Sequence, residues 1–357
     1  MFPVEDEATA NAVALLRAKG YAVDRLLAPV HYGAAVDAPA EDWARVVVID
    51  TETTGNDSSV DLPIEVAAAK VGIPWQAFES GQVRPEDVVF LDSIQMLEDP
   101  GVPSSEAAQR THKIDPSSLV GQSFDEDALG AFIADADLMV AHNASFDREI
   151  LERRFPEIFA DPASMKPWVC TLEDIAWREK YDFSARTLDY LAHRAGFTYA
   201  AHRALSDCEA LAVALTQLGA WADVYAAMRE SSYQVWALNA PFEKKDVQKK
   251  RGYFWSDGSD GRPKAWARNV RGGRPKLLEE LRWLSDNVYS HGTHAEIVIS
   301  RYTAKQRYSS QAYALGRHTK TQLGLAMAQI EGDLPQDGNA GPNPAQRGTD
   351  DTQRPRS

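Results

Sequence analysis

Four β-branched residues in succession, Val46, Val47, Val48 and Ile49, run directly into Asp50-Thr51-Glu52-Thr53-Thr54-Gly55. Such a run reads as a buried strand. Residues i and i+2 of a strand share a face. Asp50 and Glu52 therefore point the same way where the strand gives out into a Thr-Thr-Gly turn. Two like charges repel there, and a divalent cation between them is the simplest remedy. The competing reading is a pair of exposed acids beside a turn.

Two later blocks carry the same kind of signal. Leu138-Met-Val-Ala141 reads as another strand that breaks at His142-Asn143. The stretch Arg148–Arg154 then has a helical pattern, and Asp147 at its start suits a helix N-cap as well as a metal ligand. Further on, Ala201-His202-Arg203-Ala-Leu-Ser-Asp207 leads into a helical stretch with Leu211 and Leu215 on one side. Asp207 lies on that apolar side, a costly place for an acid unless it is paired or bound to metal. His202 precedes it by five residues, near the expected helix start.

The three blocks, D-T-E-T-T-G, H-N-x-x-F-D and H-R-A-L-x-D, resemble in order and spacing the DEDDh family of 3′→5′ exonucleases. That family includes the proofreading subunit of bacterial replicative polymerases. The resemblance covers roughly Trp43 to Gly219. It implies a ribonuclease H-like α/β domain with a mixed sheet. It also implies four acidic ligands at Asp50, Glu52, Asp147 and Asp207 for two Mg²⁺ or Mn²⁺ ions, with His202 as general base. In the family, the turn at Thr53, Thr54 and Gly55 holds the terminal nucleotide and its 3′ hydroxyl. His112 in Thr111-His-Lys-Ile114 resembles a segment that contacts the same nucleotide, although Lys113 stands where a glycine is usual. Asn143 belongs to the second motif and is expected to order its loop and line the substrate site.

The chemistry fits the residue types. Phosphodiester hydrolysis needs a nucleophile, charge neutralisation and help for the leaving oxygen, and two divalent ions about 4 Å apart supply all three. Four carboxylates without a Cys/His cluster favour hard cations over zinc. A histidine with a reference pKa near 6.5 takes a proton near neutral pH.

Composition bounds the rest. At 357 residues with 44% hydrophobic content, the chain has room for two domains. Two cysteines, Cys170 and Cys208, give no disulfide framework. The N-terminus lacks a signal-peptide pattern and no apolar run reaches membrane-spanning length, so the expected location is cytoplasmic, with no membrane partner. The net charge of −14 is uneven: residues 241–320 hold 17 Lys/Arg against 8 Asp/Glu. A basic segment beside an acidic body is a nucleic-acid footprint or, alternatively, a solvated face.

The expected organisation is an N-terminal helical extension over 1–40, an exonuclease domain over 41–222, a small basic α+β accessory domain over 223–332 and a disordered tail over 333–357. A linker or long helix is expected near 220–236. In the accessory domain a Gly/Asp-rich loop joins two aromatic strands. Lys249, Lys250, Arg251 and Arg268 are its candidate phosphate contacts, with Tyr253, Phe254, Trp255 and Trp266 divided between base stacking and core. The expected substrate is DNA, single-stranded by preference. The alternatives are an exoribonuclease and a catalytically silent nucleic-acid-binding module. A polymerase or another replication or repair protein is the expected partner.

Overall fold

The protein is described as a computed structural model covering residues 7–21, 23–33 and 40–333. The tail expected to be disordered lies outside the described residues after Asp333. Helix α1 (Glu7–Ala18) opens the chain. The first sheet contains β1 (Trp43–Thr53), β2 (Pro63–Pro74), β3 (Val89–Leu97), β4 (Leu138–Ala141) and β5 (Trp168–Cys170). Its order is β3-β2-β1-β4-β5, with β1, β2 and β3 antiparallel and β1, β4 and β5 parallel. This is a mixed sheet in an α/β layout.

The apolar run of β1 is continuous because both faces of the sheet are covered. Val46 and Val48 pack in one core with Leu211 and Leu215 of α3 (Ala204–Gln217). Val47 and Ile49 enter a second core with Leu151 and Phe155, on the side of α2 (Ala144–Arg154). The alternation continues past Ile49 and decides which helix each acidic residue meets.

The stretch expected as a linker or single helix divides into α4 (Trp221–Arg229) and a strand, β6 (Ser232–Ala237). Tyr233, Val235 and Ala237 alternate into a third core, a period-2 pattern that a helix cannot satisfy. The second sheet adds β7 (Phe254–Ser256), β8 (Ala265–Val270), β9 (Glu296–Tyr302) and β10 (Arg317–Gln322), ordered β10-β9-β6-β8-β7 and antiparallel throughout. Helix α5 (Lys245–Arg251) precedes β7. Helices α6 (Gly273–Asn287) and α7 (Leu323–Asp333) cover one face through Leu277, Leu281, Leu284 and Leu323. The other face carries Gln234, Asn269 and Ser300, which share a register across β6, β8 and β9. Among the described residues, no single helix is long and apolar enough to cross a membrane.

Candidate active site

Strand parity builds the site. Asp50 and Glu52 share the face of Val46 and Val48, which looks toward α3 and therefore toward Asp207. Carboxylate oxygens of Asp50, Glu52 and Asp207 all lie within 4.8 Å of one another. Thr51 has the parity of Val47 and Ile49 and faces α2, where its hydroxyl donates to Asp147 Oδ1 at 2.9 Å. Asp147 thus stands beside the triad, approaching from the other side of the strand. Its helix begins at Ala144, three residues before it, so Asp147 is a buried first-turn residue and Asn143 occupies the cap position.

The charges are unbalanced. Burial first, and then the neighbouring acids Asp147, Asp207, Glu52 and Glu65, push the Asp50 carboxyl well above its ordinary range. Glu52 is pushed up to about 8, by burial and then by Asp207, Glu65 and Asp147. Burial raises Asp147 to about 7 against the opposing hydrogen bond from Thr51. Asp207 is raised by burial, although Tyr199 Oη and the Arg203 N–H donate to it at 2.8 and 2.9 Å. An all-oxygen donor set whose members hold their protons for want of positive charge fits hard divalent cations.

Two contributors were not foreseen from sequence. Glu65 pairs with Glu52 across β1 and β2 and is fully buried. Its carboxylate accepts from Arg203 Nη2 at 3.0 Å, Gln95 Nε2 at 2.5 Å and the Ala204 N–H at 3.2 Å. It therefore ties the start of α3 to the sheet and draws a guanidinium toward the acidic cluster. Tyr199 anchors Asp207. An acid in the apolar run Ile64-Glu65-Val66 was the readable signal for Glu65.

The remaining sequence candidates divide. The Thr53 hydroxyl donates to the Gly55 carbonyl at 2.6 Å, and that of Thr54 to Asp61 at 3.0 Å. Both hydroxyls are spent inside the turn. A Cβ at Gly55 would collide with the Asp61 carboxylate, so the close approach requires glycine. His112 is buried, its Nδ1 accepts from the Ile114 N–H at 3.0 Å, and its Nε2 has no partner. Lys113 adopts φ 55°, so the left-handed backbone suited to glycine is kept without one. Asn143 is exposed and accepts from Ser145 Oγ at 3.1 Å. His202 is exposed with φ 68°, directly before the residue that leads into α3. In the second lobe Lys249 and Lys250 are exposed. Arg251 and Arg268 instead converge on the buried Glu280. That shared carboxylate meets part of their charge within the lobe. Tyr253 is buried, while Phe254 and Trp255 are exposed.

The two lobes meet on the helix that carries Asp147. Arg148, fully buried, donates to the Lys305 and Arg307 carbonyls at 2.8 and 2.7 Å and to Glu152 at 2.8 Å. Glu152 accepts in turn from the Ser310 N–H and hydroxyl at 2.9 and 2.7 Å. The Trp168 N–H, on edge strand β5, donates to the Ala304 carbonyl at 2.8 Å. The 304–310 segment of the second lobe is thus built into the first.

Residues 47–215 match the family model described as exonuclease (RNase_T). That match spans just under half of the chain. The exonuclease region is also similar to the PolC-type DNA polymerase III of Staphylococcus saprophyticus and of Staphylococcus aureus, at 30% identity over 173 residues in each case. The match covers 47% of this chain but 11% of those proteins, so the chain spans about a tenth of the length of these curated relatives. Among solved structures, exonuclease X bound to 5′-overhanging duplex DNA is 24% identical, covering 48% of this chain and 90% of its own, with a TM-score of 0.34. The zinc-bound E. coli exonuclease I–single-stranded DNA complex is 14% identical, covering 68% and 71%, with a TM-score of 0.44.

Proposed function

We propose that this protein is a metal-dependent 3′→5′ exonuclease that removes nucleoside 5′-monophosphates from DNA, favouring single strands. The observation that carries the reading is the convergence of Asp50, Glu52 and Asp207 within 4.8 Å, with Asp147 beside them on a second element. These four residues would hold two Mg²⁺ or Mn²⁺ ions. Bound divalent cations supply a nucleophile at neutral pH and neutralise charge developing on the phosphate.

The chain's own residues do the rest. Tyr199 and the Arg203 N–H fix the Asp207 carboxylate, and Thr51 fixes that of Asp147. His202, five residues before Asp207 and open to solvent, accepts the proton released as water attacks. With His112 Nδ1 accepting from Ile114, the neutral ring carries its proton on Nε2. That unpartnered N–H is offered to the terminal nucleotide. The hydroxyls of Thr53 and Thr54 fix the turn beside the carboxylates, where the terminal nucleotide would sit. Residues 41–222 form the catalytic domain in this reading, and residues 223–332 an accessory domain. Lys249, Lys250, Phe254 and Trp255 give that accessory domain an exposed basic-aromatic surface for nucleic acid. A replication or repair partner is part of the same proposal.

Digestion of 5′-labelled single-stranded DNA, duplex DNA and RNA, with Mg²⁺, Mn²⁺ or chelator, tests it. A ladder shortening from the 3′ end of DNA, abolished by chelator and by Asp50→Ala, is expected. Preference for RNA would move the assignment to an exoribonuclease. Binding without hydrolysis would make the chain a silent binding module.

A further inference from the structure

Between the lobes lies a cleft of about 670 Å³ that does not include the carboxylate cluster. Ser145 and Glu149, one turn apart on α2, line it from the exonuclease side. Glu149 accepts from the Ser58 hydroxyl at 2.6 Å, in the loop that follows Gly55. The cleft therefore adjoins both the helix that carries Asp147 and the turn of the first motif. The facing wall is the side of the second sheet opposite α6 and α7: Gln234, Asn269 and Tyr302, with Arg262 at the rim and Tyr313 alongside.

The chemistry of this wall is that of unpaired nucleotides. Gln234 and Asn269 are amides joined at 2.9 Å, and the Tyr302 hydroxyl donates to Gln234 at 3.1 Å. Amides and phenols read base edges and faces, and a guanidinium meets phosphate. Two lining groups are buried without a hydrogen-bond partner, Ser232 Oγ and Arg307 Nε. Buried orphan donors are uncommon and need an explanation. Both belong to residues that line the cleft, but the atoms themselves are closed off from it. The volume suits a segment of a few nucleotides.

We propose that this cleft holds the single strand upstream of the nucleotide that enters the carboxylate site. The assignment rests on the exonuclease reading for its direction. A strand gripped at its 3′ end must leave along some surface, and the cleft shares two elements with that end. Duplex is a poorer occupant, because the amides and Tyr302 are recessed between the lobes and would meet unpaired bases more readily than stacked pairs.

The test separates the two readings. Binding of 5′-fluorescein oligothymidines, from dinucleotide to about 12 nucleotides, is measured in chelator for wild type, Arg262→Glu and Asn269→Ala. Arg262 is an exposed residue paired with Asp260 in a surface loop, so its replacement spares the fold. Strands carrying one 4-thiothymidine are photocrosslinked, and the attachment sites are mapped by mass spectrometry. The expected results are upstream crosslinks to Tyr302 or Tyr313 and a loss of about tenfold for the long strand with Arg262→Glu, shrinking as the strand shortens. Upstream crosslinks to the exposed Trp255 or Phe254 of the second lobe, or an equal loss at every length, would overturn the cleft assignment. Cleft crosslinks in a protein that releases no mononucleotide with Mg²⁺ would sink the exonuclease reading while leaving the cleft a strand-binding site.

Discussion

Replacing Glu52 by Gln should make the metal-free protein more stable. Burial and three neighbouring acids hold Glu52 at about 8, against an ordinary 4.5. A carboxyl whose folded pKa is raised binds its proton more tightly in the folded state. Its stabilising share is complete below about pH 4.5 and is lost as pH rises through 8. At about 1.4 kcal/mol per pKa unit, ionising Glu52 among its neighbours costs on the order of 4 kcal/mol by pH 8. Glu52 is not fully enclosed, and solvent screening leaves about 2 kcal/mol of this. The glutamine keeps the shape and removes the charge. In chelator at pH 8 the variant should melt about 4–8 °C above wild type. His142, pushed down to about 4 by burial, acts in the opposite sense, but its share is complete above about pH 6.5. Thermal melts between about pH 7 and pH 8.5 therefore report the acids. Wild type should lose stability across that window, and Mg²⁺ should restore more to wild type than to the variant. A wild-type melting point flat over the window, with Glu52→Gln no more stable, would refute the reasoning.

Five further outcomes follow from the same geometry. Asp50→Ala and Asp207→Ala should abolish Mg²⁺-dependent hydrolysis with an unchanged circular dichroism spectrum; residual full activity in either would remove that ligand from the site. His202→Ala should lower kcat by roughly 10²–10⁴-fold and reshape the acidic limb of the pH–rate profile, with little change in strand affinity. His112→Ala should raise KM by about five- to tenfold, as expected for one lost hydrogen bond, with kcat less affected. Arg148→Met strands buried Glu152 and two carbonyls, so denaturant melts should show a loss of about 3–5 kcal/mol. By the same logic, a chain ending after Arg229 should be insoluble or inactive.

Much of the exonuclease half was legible because its strands announce themselves. Val46–Ile49 and Leu138–Ala141 are apolar on both faces, and each breaks at a polar motif. Asp50 and Glu52 could be placed on one face from strand period alone. The join of Asp147 to them could not, since it depends on Thr51 facing a helix brought in by the fold. Glu65 stayed hidden because its meaning lies in the β1–β2 register and in Arg203, both remote in sequence. Strand β10, Arg-His-Thr-Lys-Thr-Gln, is an almost wholly exposed edge with no apolar alternation to read. The alternation of Tyr233, Val235 and Ala237 was present in the sequence but lay beneath an expected linker. Arg251 and Arg268 looked like free cations because Glu280, their partner, sits on a later helix.

The seam at Arg148 has a consequence for how the two halves can change. Arg148 recognises the second lobe through main-chain carbonyls of residues 305 and 307, not through their side chains. Position 305, whose side chain is exposed, is free to drift chemically while its carbonyl stays where it is. The share of the seam carried by Arg148 would then leave almost no trace as paired substitutions, unlike the side-chain pairs Arg307–Asp174 and Tyr308–Asp174 beside it. A recombination event that exchanged the second lobe for an unrelated fold would strand a buried guanidinium, however well the new module bound nucleic acid.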